Sequence, residues 1–441
     1  MLAEIPSIQR LRRAQRQVAA YVGGQASQLS RSNSTHTRIV AGLVDAGLSS
    51  MAGLIAGLYA AHFLSPSLLG AYAIYFGAFM VGGFVPVMLY LLPSRVASLE
   101  LAEDSRLGAL DHTLLRGAMV SGVMALLTPL AGVFVLKEVT VSQMAPLALT
   151  AALVVFVSPL QDHQRCVFHL AGRPWRAAVV SSVHLTTLLV AVIVLHASHT
   201  ARQWVPFGSL AVGNMVSLGA GFLLSRGFAL AEDEAIEGMA SLVRSGWALL
   251  FSTLLPICTQ FLAGGLIASF ASVKEVGYAE AARVVAQPVH VAALGLGQAI
   301  TPMLMEGAQA GSRSRVFKAR RIYLALLALC AVLYLPIVGV DHPLNPLAAI
   351  LPNAYELRGI VLFSVAAVFI TDIGLLLKTE LAASRNAGDL TAPTVGGSGA
   401  HLGFAVAGMG PLGGYTVPLG LTLNSLISTV WIFRRANKRL S

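Results

Sequence analysis

The residues best placed to do chemistry lie between Gly277 and Pro302. Glu280, Arg283, Gln287 and His290 follow one another at spacings of three, four and three, and Gln298 and Thr301 continue the row. On an α-helix these positions share a face. The residues between them are apolar, and the segment is long enough to cross a membrane. Ionisable groups on such a segment are costly against lipid, so the row must face protein or water. Two readings follow. In one, the row lines a substrate cavity, with Arg283, Gln287, His290 and Gln298 as binding residues; the Arg283 guanidinium offers a donor fork suited to phosphate oxygens. In the other, Glu280 and Arg283 neutralise each other in a helix seam near the outer surface.

Other ionisable groups in apolar surroundings are few. Asp45 falls six residues into the first apolar run, about 9 Å deep at 1.5 Å per residue, and Asp372 lies near the inner end of the tenth. A carboxylate in a membrane either takes a proton or pairs, so Asp45 and Asp372 are the candidates for proton or sodium coupling. Asn214, Gln260, Asn424, His184 and His401 are read as interhelical hydrogen-bonding groups. Asp162, His163 and His169 fall in an expected loop at spacings that do not suggest a metal site. Cys166, in the same loop, and Cys258 and Cys330, in apolar runs, suggest neither a disulfide framework nor a metal site. No loop is long enough for a soluble catalytic domain; the longest outer one, 341–356, offers Asp341 and His342 among prolines. No enzyme activity and no cofactor are expected.

The elements that must position these groups are membrane helices. Of 441 residues, 56% are hydrophobic and 11% charged, where a soluble domain carries about 25% charged residues. The apolar runs are continuous, which sets them apart from the alternating strands of a membrane β-barrel. The class is an all-α polytopic membrane protein. Twelve spans are expected near 39–63, 69–92, 115–136, 143–160, 177–197, 204–224, 246–270, 278–304, 322–340, 357–378, 391–409 and 411–433. They divide into a basic cytoplasmic tail (1–38) that includes a partial amphipathic stripe, an N-terminal six-helix lobe (39–224), a linker (225–245) containing Glu232, Asp233, Glu234 and Glu237, a C-terminal six-helix lobe (246–434) and a second basic tail (435–441). The first run is too long for the apolar core of a signal peptide and reads as a span.

The chain has an excess of ten basic residues with no nucleic-acid motif. With the N-terminus in the cytoplasm, the twelve spans put 25 Lys and Arg on the inner side and 5 on the outer. This split fits the tendency of cytoplasmic loops to collect positive charge and predicts that both termini are cytoplasmic. The halves also repeat. Ala56-Gly57, Phe63, Ser65 and Gly70 recur as Ala263-Gly264, Phe270, Ser272 and Gly277, at a constant offset of 207. Matches at one structural place in both halves point to a duplicated six-span unit. The polar row is not duplicated: at that offset Arg283, Gln287 and His290 correspond to Phe76, Met80 and Gly83. The first half has Tyr72, Tyr75, Phe76 and Phe79 instead, so an aromatic wall is expected opposite the polar one.

Some of these residues carry a family likeness. Phe63-Leu64-Ser65-Pro66-Ser67-Leu68-Leu69-Gly70-Ala71-Tyr72-Ala73 resembles the first outer turn of bacterial polysaccharide (O-antigen type) flippases, in the multidrug/oligosaccharidyl-lipid/polysaccharide exporter superfamily. Val276-Gly277-Tyr278-Ala279-Glu280-Ala281-Ala282-Arg283 resembles that family's pattern after its seventh helix, and Pro302 the proline ending its eighth. The resemblance implies two six-helix lobes around a central cavity that opens alternately to either side of the bacterial cytoplasmic (inner) membrane. It implies that an undecaprenyl-diphosphate-linked glycan is flipped, with polysaccharide-assembly proteins as further partners. Of the family's several basic cavity residues, only Arg283 carries over. Drug extruders of the same superfamily use a first-helix Asp for coupling, and Asp45 stands in that place. Cation-coupled drug export is therefore the first alternative, and a membrane enzyme or scaffold of polysaccharide synthesis the second.

Overall fold

The computed structural model describes residues 35–98, 101, 103–228, 238–309, 312–339, 358–383 and 390–440. Among them are twelve helices of 18 residues or more, one for each expected span: α1 (Thr35–Phe63), α2 (Pro66–Ala97), α3 (Leu110–Leu127), α4 (Val141–Leu170), α5 (Pro174–Ala197), α6 (Val205–Ser225), α7 (Met239–Phe270), α8 (Val273–Gln309), α9 (Arg313–Gly339), α10 (Arg358–Ala383), α11 (Thr391–Gly408) and α12 (Thr416–Leu440). No strand occurs among the described residues. Ten of the helical segments are long and apolar enough to cross a membrane. The other two are α8, which carries the polar row, and α11, which is short and glycine-rich. Large apolar side chains such as Leu126, Leu130 and Ile193 stand on the exterior, a surface suited to lipid and not to water.

Local sequence sets the helix starts. Pro66 and Pro174 occupy first-turn positions, where a missing N–H is tolerated and φ is already helical. Thr140 and Gln143 close a capping box at the start of α4. Pro86 removes a backbone donor inside α2, and the helix loosens into one π turn at Val87–Leu91 before it resumes. That turn receives α7: a Cβ on Gly246 would overlap the Leu89 carbonyl oxygen.

Helix pairings repeat between the halves. The pairs α1–α5, α2–α4, α4–α6 and α5–α6 in the first half recur as α7–α11, α8–α10, α10–α12 and α11–α12 in the second. The two lobes meet through α1 and α2 on one side and α7 and α8 on the other. The close backbone crossing between the lobes obeys the repeat. A Cβ on Gly70 would overlap the Val273 carbonyl oxygen, and one on Gly277 the Pro66 carbonyl oxygen. Both partners in each contact are related by the offset of 207, so a pseudo-two-fold axis passes between these turns. A second trace lies inside the lobes: His184 of α5 packs on Gly213 of α6, and His401 of α11 packs on Gly420 of α12, the two glycines again 207 apart.

Several expected boundaries move. Helix α4 runs ten residues past 160 to Leu170, so Asp162, His163, Arg165, Cys166 and His169 are on a helix and not in a loop. Helix α9 begins at Arg313, which makes the basic cluster Arg313 to Arg321 its first turns. Helix α7 begins at Met239 inside the expected linker, and α12 runs to Leu440 through the expected tail. A lipid-length rule marks where apolar residues end. Past that point α4 pairs Arg165 with Asp45, α9 and α12 meet through Arg320 and Asn437, and the start of α7 packs Leu242 against Tyr90 and Leu91 of α2. The stripe in residues 1–34, the acidic linker residues and the 341–356 loop lie outside the described residues.

Candidate functional site

A cavity of about 210 Å³ opens between the lobes. Helix α2 supplies Phe76 and Met80, α7 supplies Gln260 and Phe261, α8 supplies Glu280 and Arg283, and α10 and α12 complete the wall with Ser364 and Leu421. Two donors of the Arg283 guanidinium reach the two carboxylate oxygens of Glu280, each at 2.7 Å. The same guanidinium lies 4.5 Å from the centroid of the Phe76 ring. Glu280 is 6% exposed. The predicted ion pair is therefore present, and it forms part of the cavity wall.

Arg283 and Phe76 are themselves related by the repeat offset. The pseudo-axis thus sets one lobe's aromatic residue against the other lobe's cation, where the attraction of a desolvated guanidinium to a ring face is largest. The aromatic wall is narrower than expected. Tyr72 and Tyr75 are buried and do not line the cavity; Tyr72 packs on Phe207, ring centroids 4.8 Å apart, and Tyr75 lies against Gly132.

The polar row does not act as one surface. Gln287 lies against Gly57 of α1, and its carbonyl oxygen has no partner among the described residues. His290 Nδ1 is 2.8 Å from Asp372 Oδ1 of α10, which joins a predicted binding residue to a predicted coupling residue. Asp372 is fully buried. Its second oxygen has no partner among the described residues, while the Tyr323 hydroxyl donates to its backbone carbonyl at 3.3 Å. Helix α8 carries Gln298, but that side chain lies outside the described residues.

Asp45 is held very differently. Arg165 of α4 donates to its two oxygens at 2.9 and 2.8 Å, His169 Nε2 lies 2.9 Å away, and the Ser181 hydroxyl of α5 donates to it. Arg165 also donates to Ser49 at 2.8 Å. The network continues through Asp162 to Arg95 at 3.0 Å, and from Arg95 to His163 and Thr113. A third buried pair, Arg320 with Glu380, is bidentate at 2.7 and 2.6 Å, and Arg320 also donates to Asn437. Sequence reasoning missed Arg165, His169 and the Arg320–Glu380 pair. The signal for the first two was available: Asp162, Arg165 and His169 stand three and four apart, the spacing that singled out α8.

No protein-family model matches the sequence, and no curated protein matches it. Solved structures do match along nearly the whole chain. An outward-facing multidrug resistance MATE family transporter of the MOP superfamily gives a TM-score of 0.63 at 14% identity, covering 94% of this chain and 97% of that one. The chain has the MATE transporter fold. The MATE multidrug transporter DinF-BH gives 0.65 at 13% identity, over 92% and 95%. A MOP superfamily transporter from Pyrococcus furiosus, described as having a binding pocket of reverse polarity that suggests a different function, gives 0.62 at 13% identity, over 94% and 98%. These neighbours share a fold and differ in what is said of their pockets, so the fold does not identify the occupant of this cavity.

Proposed function

We propose that this chain carries an amphipathic substrate across the membrane by alternating access, and that the substrate is a lipid-linked glycan precursor of the bacterial cell envelope. The observation that carries the reading is the interlobe cavity, where Arg283 and Glu280 face Phe76, Met80 and Phe261. A cation with five donors suits a phosphate headgroup, and the apolar remainder suits a prenyl chain. The likeness to MATE transporters supports movement between inward- and outward-facing states, because the lobes here meet through few helices and pack mainly within themselves. The glycine crossing at Gly70 and Gly277 closes the end bearing the Ser65 and Ser272 turns, which the charge distribution assigns to the cell exterior. In this reading Arg283 meets the anionic head, with Gln287, His290 and Gln298 deeper along α8, while Asp45 and Asp372 are the sites where a proton or sodium ion acts on the lobes.

A second reading rests on the pairing itself. Glu280 neutralises Arg283, which leaves a small, mostly apolar and aromatic cavity suited to a multidrug extruder's substrates. The two readings separate in proteoliposomes. A fluorescent prenyl-diphosphate glycan should be moved by the purified protein and blocked by unlabelled lipid-linked glycan. Transport of organic cations without movement of the glycan lipid would favour the extruder.

A further inference from the structure

The last helix carries a face that the cavity does not use. Leu426, Ile427, Val430, Trp431, Arg434 and Arg435 line a groove of about 540 Å³. Their steps of one and three residues place all six on one side of α12. Leu426, Val430 and Trp431 are 48%, 43% and 39% exposed, and Arg434 is exposed as well. From Leu426 to Arg435 the axis rises about 14 Å, close to half of the roughly 30 Å hydrocarbon thickness of a bilayer. Order along the face is apolar, then Trp, then two arginines, which matches acyl chain, interface and phosphate within one leaflet. Trp431 is held by a close fit to Gly396 of α11, whose Cβ would stand 3.0 Å from its ring. The Arg435 guanidinium lies 5.6 Å from that ring.

We propose that this face is a binding site for an anionic phospholipid, with Arg434 and Arg435 on the phosphate and the Leu426–Val430 groove along an acyl chain. Charge selects this occupant. Residues 416–441 contain no Asp or Glu, and Lys438 and Arg439 follow the two arginines. A zwitterionic headgroup would bring its own cation toward this cluster. The chain's own residues 1–34 hold five arginines against one glutamate, so they carry the wrong sign to cover it. Arginines near an anionic headgroup each favour it by enough to give about tenfold or greater preference for the pair.

Trp431 provides the test. In the full chain with Trp175, Trp204 and Trp247 changed to Phe, the remaining indole reports on this face alone. Reconstituted with mixtures of brominated phosphatidylglycerol and brominated phosphatidylcholine, it should be half-quenched at about tenfold lower mole fraction of the anionic lipid. Arg434→Gln with Arg435→Gln should bring the two lipids to within about twofold, whereas Arg434→Lys with Arg435→Lys should keep the preference. Equal quenching before the arginines are changed, or a preference that survives the glutamines, would overturn the proposal. Weak quenching by both lipids would mean that protein covers Trp431, and would overturn it too.

Discussion

The two lobes share a scaffold but treat their buried charge differently. In the first, Asp45 is gripped by Arg165, His169 and Ser181 and belongs to a network that reaches Arg95. In the second, Asp372 has one side-chain partner among the described residues, His290, and an unfilled oxygen. By the repeat offset, Arg165 and Asp372 occupy corresponding positions on α4 and α10. A basic residue in one lobe has an acidic residue as its counterpart in the other. Backbone crossings at Gly70 and Gly277 are equivalent to the atom, while the charges at the cavity and inside the lobes are not. The backbone packing is preserved between the lobes, while the buried charges differ.

Breaking the better-held cluster should have the largest effect. Arg165→Met leaves Asp45 buried without its cation, at a cost of about 3–5 kcal/mol. Melting of the purified protein in detergent should fall steeply, and Asp45→Asn combined with Arg165→Met should recover much of the loss. Independence of the two changes would remove the pair from the account.

The glycine crossing comes next. Gly70→Val and Gly277→Val both drive carbons into a backbone carbonyl, and overpacking of this kind costs about 1–3 kcal/mol. Since the sites are related by the pseudo-axis, the losses in melting temperature should be similar. A severe effect at one and none at the other would break the symmetry.

A smaller effect sharpens the contrast between the carboxylates. Asp372→Asn gives up one side-chain partner, so it should lower stability by about 1 kcal/mol, less than Asp45→Asn, which loses an arginine, a histidine and a serine contact. The reverse order would mean that the C-terminal lobe is the tighter one. Smallest is the link between the α3–α4 connection and the start of α8. Glu138 accepts from Ser272 and from the Val273 backbone N–H, and Lys137 donates to the Ser269 carbonyl. Such hydrogen bonds contribute about 1 kcal/mol each, and the amide oxygen of a glutamine would still accept from both donors, only more weakly. Glu138→Gln should leave melting nearly unchanged while raising labelling of a cysteine at Ser67, because the lobes separate there more often. Unchanged labelling would exclude a gating role for the link.

Ten of the twelve helices were readable because apolar runs of membrane length leave few alternatives, and the repeat because Gly70 and Gly277 are required where backbones nearly touch. Spacing put Glu280 and Arg283 on one face of α8 but left a paired seam and a cavity wall as alternatives; in the structure the pair forms and also lines the cavity. What the cavity faces was half readable: Phe76 meets Arg283, but Tyr72 and Tyr75 turn inward, since alternation around a helix does not reveal which side a neighbour covers. The partner of Asp45 was hidden for a different reason. Arg165 lies 120 residues away in sequence, beyond the point where apolarity ends, on a stretch of α4 where Asp45, Asp162 and Ser49 contact its guanidinium. Joining His290 to Asp372 likewise requires the α8–α10 packing, which no local pattern specifies.

The central claim is that the Arg283 side of the interlobe cavity holds the substrate's anionic head. Its most direct measurement is the rate of glycan-lipid flipping in proteoliposomes by Arg283→Ala, beside Arg283→Lys and Glu280→Gln, at equal amounts of folded protein. If Arg283 binds the head, the alanine variant should lose tenfold or more of the rate, since a lost charge-assisted contact is worth about 1.5–3 kcal/mol, with lysine less impaired and Glu280→Gln mildest. A full rate from well-folded Arg283→Ala would contradict the account.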